Sequence, residues 1–166
     1  MRRLRPLLLL ALVAPGAPAL VGCDGQSARQ CDSDVAFAIE DVTPDGAELG
    51  ATAVAGSCVT VDYVGRLADG SGVFRVGDGL NVLVLNSGFE VPGLILGLRD
   101  QRVGQTRRVT VPPSVGFGAN EVPARDGFVG GGDSGEPYVG VPACSVLEYE
   151  VTVRRVNADA RICSGV

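Results

Sequence analysis

The chain has no histidine and no lysine, so cysteines, carboxylates, arginines and a few aromatic rings are what could do chemistry. Without imidazole there is no side chain poised to act as a base near neutral pH, and a Ser-His-Asp triad cannot be built. One aromatic stands out by its setting. Phe117 lies between Gly116 and Gly118, just after Pro112-Pro113 and an alternating run with Val109 and Val111 on one face and Arg108 and Thr110 on the other. Cys31, Cys58, Cys144 and Cys163 form an even set with no CxxC pair. Two disulfides are the natural reading of such a set, and a four-cysteine zinc site is the alternative. Asp126, Asp133 and Glu136 match neither of the familiar calcium-loop spacings. No cofactor and no metal are expected.

The fifth cysteine belongs to the leader. Arg2, Arg3 and Arg5 precede an apolar run from Leu7 to Val13, which reads residues 1–22 as a signal peptide. That run is too short to span a bilayer. Leu20-Val21-Gly22-Cys23 resembles a bacterial lipobox, which implies cleavage before Cys23 and acylation of that residue. Each buried methylene of an acyl chain contributes roughly 0.8 kcal/mol, so several chains on Cys23 would anchor the protein stably. A lipid-anchored protein of the bacterial cell envelope, facing the periplasm or the exterior, is expected. Residues 23–34 are small and polar and read as a tether. The formal net charge is −5, and about −8 without the leader, which argues against nucleic acid as a partner.

The elements that must carry these residues are mostly strands. Val35, Phe37 and Ile39 alternate as an edge strand would, and Thr43-Pro44-Asp45-Gly46 is a turn. Cys58 to Leu67 forms a second strand with Val59, Val61 and Tyr63 on one face. Val73-Phe74 and Leu80 to Leu85 read as a third strand split around Val76 to Gly79. Pro92 opens a short apolar helix, because its missing N–H costs nothing in a first turn. Gln105 to Val111 and Ser145 to Val156 complete the strands, the last with Leu147, Tyr149, Val151 and Val153 on its buried face. Residues 119–140 read as a long Gly-rich loop. The class is α+β: one short helix crossing a twisted antiparallel sheet.

Five segments, in order, give the chain a family likeness. Val61-Asp62-Tyr63-Val64-Gly65-Arg66-Leu67 with Asp69-Gly70, then Phe89 to Leu94 with Gly97-Leu98, then Val103-Gly104-Gln105, Gly116-Phe117-Gly118, and Val141-Pro142 with Leu147 to Val153 resemble FKBP-type peptidyl-prolyl isomerases. The resemblance covers about Val35 to Val156. It implies an FKBP-like domain over residues 35–158, a half-wrapped antiparallel β-sheet around one short α-helix, followed by a tail at 159–166. It implies a pocket walled by Tyr63, Phe74, Val91, Leu94, Phe117, Val141 and Tyr149, with Leu94 as its floor. It also implies the disulfide pairs Cys31–Cys144 and Cys58–Cys163. Proline-containing polypeptides are the implied substrates, at the envelope and among exported proteins, and a monomer is expected.

The implied chemistry suits those residue types. An X-Pro amide resists rotation by about 18–20 kcal/mol because twisting breaks its resonance. An apolar slot that strips water from the amide favours the twisted, less dipolar form, and no nucleophile is needed. The N–H of Val91 would hold the substrate carbonyl. The sequence departs from the family where Phe117 replaces a frequent Tyr, Leu94 a frequent Trp, and Arg75 follows Phe74 where an acid is usual. These departures predict a reduced activity. The same pocket with little turnover would be a module binding proline-containing or apolar segments.

Overall fold

The computed structural model describes residues 31, 33–83, 91–124, 138–159 and 163. The signal peptide, Cys23, most of the tether, the middle of the 119–140 loop and most of the tail lie outside them, as do the three carboxylates Asp126, Asp133 and Glu136.

Five strands and one helix carry the fold: β1 Ala38–Asp41, β2 Cys58–Leu67, β3 Val73–Leu83, α1 Pro92–Leu98, β4 Thr106–Val111 and β5 Leu147–Asn157. The sheet order is β1-β4-β5-β2-β3, and every neighbouring pair is antiparallel. Strand alternation decides which side faces the helix. Val59, Val61 and Tyr63 of β2, Val109 and Val111 of β4, and Leu147, Tyr149, Val151 and Val153 of β5 are all buried. Leu94, Ile95 and Leu98 of α1 pack into the same core. The result is the FKBP fold expected from the sequence, a five-stranded antiparallel sheet with one short helix.

Two glycines let the helix approach the sheet. A Cβ on Gly93 would stand 2.4 Å from a methyl of Val111, and one on Gly97 would stand 2.6 Å from a methyl of Val109. The helix therefore needs glycine at two positions to lie against β4. Pro92 occupies its first turn, as the sequence predicts.

Two elements differ from the sequence reading. The first strand is shorter: pairing begins at Ala38 opposite Thr110, and Val35 and Ile39 are both exposed. Alternation alone does not mark where ladder bonds start. The third strand is not split. It runs unbroken through Val76 to Gly79, because two bulges absorb the residues that break its pattern. At the first, Asp62 faces both Asp78 and Gly79, and Gly79 takes φ +63° while its N–H donates to Asp62 at 2.7 Å. At the second, Gly65 and Arg66 oppose Arg75 and Val73, which leaves Phe74 as the extra residue.

Two disulfides clamp the ends of the sheet. Cys31 is bonded to Cys144 and Cys58 to Cys163, the connectivity that the family likeness implies. All four sulfurs are used in these bonds. On the wet face, Arg108 lies 3.3 to 3.7 Å from carboxylates of Glu40, Glu148 and Glu150, and Arg154 pairs with Asp62. These pairs are exposed, so each contributes little, typically 0–1 kcal/mol.

Candidate active site

Four aromatic residues gather on the buried side of the sheet. The rings of Tyr63 and Tyr149 are 5.8 Å apart, those of Tyr149 and Phe74 5.6 Å, and those of Phe74 and Phe117 6.1 Å, all edge-to-face. Such pairs are worth about 0.5–1.5 kcal/mol beyond their area burial, so the four rings brace one another. Each reaches the cluster for a local reason. Tyr63 and Tyr149 sit on the buried faces of β2 and β5, near the Gly65–Tyr149 register pair. Phe74 is the extra residue of the second bulge, a device that re-aims a side chain. Phe117 comes from the loop after the 3₁₀ turn Pro113–Val115.

Glycines make the seats for these rings. A Cβ on Gly65 would lie 2.7 Å from the tip of the Phe74 ring and 3.1 Å from the Tyr149 ring. A Cβ on Gly77 would lie 2.5 Å from the Tyr63 ring. Neither glycine belongs to the wall expected from the sequence, and the alternation rule assigns them no role. The available signal was their position: each stands at an inward position of a strand that otherwise presents large residues.

The aliphatic members adjoin the rings in the same core cluster. Val91 is the residue before α1, in extended conformation, and its carbonyl accepts from the N–H groups of Leu94 at 2.9 Å and Ile95 at 3.3 Å. Leu94 is fully buried beneath the rings. Val141 exchanges two backbone hydrogen bonds with Val122, at 2.7 and 2.9 Å, and the preceding Val139 donates to the carbonyl of Val73. The chain returning from the long loop is thus fastened to the start of β3. All seven expected wall residues fall in or against one cluster.

The cluster is apolar except at its rim. None of the seven carries a carboxylate, and the guanidinium carbon of Arg75 lies 5.9 Å from the Tyr63 ring centre. A cation over an aromatic face contributes about 0.5–1 kcal/mol where solvent reaches it. A cavity of about 610 Å³ adjoins Val141, bounded by Glu121, Val122, Pro123, Ala124, Gly140 and Pro142. A second, about 230 Å³, involves Tyr63 but lies among Asp62, Val64, Asp78, Glu150 and Thr152, the outward residues of their strands. It opens on the wet face of the sheet. The four rings, the buried Leu94 and the extended backbone at Val91 thus lie together in one apolar cluster.

Comparison with known proteins gives this arrangement its family. Residues 50–154 match the family model described as FKBP-type peptidyl-prolyl cis-trans isomerase. The peptidyl-prolyl cis-trans isomerase FKBP15-3 of Arabidopsis thaliana is 32% identical over 96 residues, 50% of this chain and 67% of the relative. FK506-binding protein 3 of Candida albicans is 30% identical over 103 residues, 61% of this chain. The chain spans only 20% of that relative's length. Among solved structures, a peptidyl-prolyl cis-trans isomerase from Pseudomonas syringae aligns with a TM-score of 0.51 at 20% identity, covering 73% of this chain and 75% of that one. AtFKBP13 aligns with the same score at 23% identity, covering 73% and 93%. These two share the fold, and the family match, which takes in β2 to the middle of β5, supports the same conclusion from sequence: the chain belongs to the FKBP-type peptidyl-prolyl cis-trans isomerase family.

Proposed function

We propose that this domain catalyses cis-trans isomerisation of X-Pro bonds, with the ring cluster as its active site. The observation that carries the reading is the contiguous chain of rings Tyr63, Tyr149, Phe74 and Phe117 inside the family-matched span. The proline ring packs against the partly buried rings Phe74 and Phe117, above the buried Leu94. Water leaves the amide, and the twisted form, with less charge separation, loses less on desolvation than the planar one. The N–H of Val91 donates to the carbonyl of the residue bound beside it. Tyr63, Phe74, Val141 and Tyr149 wall the slot, and Phe117 closes it. Phe117 adds apolar surface but no hydrogen bond, so the acceptor that a tyrosine would satisfy goes without a donor.

The leader supports an envelope setting for this activity. Cys23 carries the lipid, residues 24–34 hold the domain off the membrane, and the clients are exported polypeptides whose folding waits tens to hundreds of seconds for X-Pro rotation. Two cystines suit an oxidising compartment.

A second reading rests on Phe117 and Arg75. With no tyrosine hydroxyl at the turn and a cation beside Tyr63, the slot would bind proline-containing or apolar segments with little turnover. Turnover separates the two. Exchange of a proline-containing tetrapeptide, followed by NMR with the full chain in detergent, should be accelerated in proportion to protein concentration. Saturable peptide binding with the uncatalysed exchange rate would favour the binding module instead. Mass spectrometry of the mature N-terminus should find Cys23 acylated, and an unmodified Cys23 in the exported protein would refute the anchor.

A further inference from the structure

We propose that the Cys31–Cys144 disulfide positions the Phe117 wall of the slot, a role that rests on the isomerase reading above. Phe117 sits on a turn that is closed mainly within itself. Gly116 and Gly118 both donate to the carbonyl of Pro113 at 3.1 Å, and Asn120 donates twice to the carbonyl of Phe117. Among the described residues, one hydrogen bond ties the turn itself to the segment before β5, the N–H of Cys144 donating to the carbonyl of Gly118 at 2.8 Å, and the Val122–Val141 pair joins the two segments just beyond it. Cys144 has φ +62°. A side chain disfavours this left-handed region, and non-glycine residues stay there only where their surroundings over-determine them. Cys144 is the third residue of the turn Pro142–Ser145, closed by the Ser145 N–H donating to the Pro142 carbonyl at 3.3 Å, and the link to Cys31 adds a covalent constraint to that turn.

The chain of cause is short. The disulfide fixes Cys144, its N–H fixes Gly118, and the neighbouring Phe117 stays against Phe74, 6.1 Å between ring centres. With the link cut, only the two Ser145 bonds to the Pro142 carbonyl oppose relaxation of Cys144 toward negative φ, which would turn its N–H away from Gly118. Phe117 then loses its fixed approach to the slot. Cys144 is a positioning residue here, since it acts through Phe117.

The second disulfide is a built-in control. It closes a nearly equal stretch, a separation of 105 residues against 113. The chain-entropy model gives the two nearly the same stabilising effect. Cys58, however, pairs with Leu83 and Asn157 at the far end of β2, whereas Leu67 and Leu147 mark the Cys144 end.

The test compares Cys31→Ser/Cys144→Ser with Cys58→Ser/Cys163→Ser in the full chain, well below both melting temperatures. Isomerase kcat/KM should fall about tenfold in the first and stay near wild type in the second, since misplacing a reacting surface by a fraction of an ångström costs that order of rate. Cys31→Ser/Cys144→Gly should recover most of the loss, because glycine takes φ +62° without strain. A fluorine label on the Phe117 ring should give one sharp resonance in wild type and the Cys58/Cys163 variant, and a broadened one in Cys31→Ser/Cys144→Ser. Unchanged kcat/KM in that variant, equal losses in both double variants, or no recovery with glycine would each overturn the proposal. A wild type without turnover would instead sink the isomerase reading, and the fluorine line widths would still decide the positioning claim.

Discussion

Phe117 is the residue on which the chemistry of the slot turns. It offers a ring where a hydroxyl would also supply a donor. Phe117→Tyr should therefore raise kcat/KM, by about twofold to tenfold if the new hydroxyl contributes a net 0.5–1.5 kcal/mol to the twisted amide. An unchanged rate in the same peptide assay would mean that no acceptor waits there. Gly65 sets the rings from below. Gly65→Ala should cost about 1–3 kcal/mol in urea unfolding, because its methyl would overlap Phe74 and Tyr149. At this scale the sequence was legible where residue type and alternation coincide, as at Tyr63 and Tyr149. Gly65 and Gly77 were legible only as small residues at inward positions, and the space they leave for the rings shows only in the structure. The sequence was silent on the left-handed backbone of Cys144, since nothing in the residue type signals it.

Elements show why a period-2 pattern can be right and still mislead. In β3 the alternation fails, and a break was the natural reading. Two bulges restore the pairing and use the misfit, the second to turn Phe74 toward the other rings. The family likeness located Phe74, but only the register explains how it gets there. Strand β5 has an extra residue as well: Thr60 and Val61 oppose Arg155 and Val153, which leaves Arg154 free of that register to reach Asp62. The helix tests the element scale best. Gly97→Ala should destabilise the domain by about 1–3 kcal/mol despite alanine's better helix propensity, because Val109 stands in the way. Adding Val109→Ala should then cost less than Val109→Ala does alone. Additive effects in the urea midpoints would show that the helix does not touch β4 through Gly97.

For the whole molecule, charge and covalent closure set the working range. Burial alone would raise the pKa of Asp62, but the Gly79 N–H and the Arg154 guanidinium outweigh it and hold the carboxyl below its usual value. A carboxyl depressed in the folded state stabilises fully above its unfolded pKa of about 3.9, and that contribution is lost as pH falls through the folded value. Asp41, held low first by the Thr43 hydroxyl, acts in the same sense. Stability measured by denaturant should hence fall below about pH 4, and Asp62→Asn should flatten that fall. A slope unchanged by Asp62→Asn would assign it to other carboxylates. The slot itself has no group that titrates between about pH 5.5 and 8, so turnover should be flat there. Global features were unevenly legible. The sheet followed from alternation, and the disulfide pairing from family likeness alone, since four cysteines permit three connectivities.

The most direct measurement is catalysed exchange of a peptide with an apolar residue before proline, for the oxidised full chain beside Phe117→Ala. Wild type should accelerate exchange, and the variant should lose most of that acceleration while keeping its fold and both disulfides. A variant as active as wild type, with both folded, would contradict the assignment of the ring cluster as the active site.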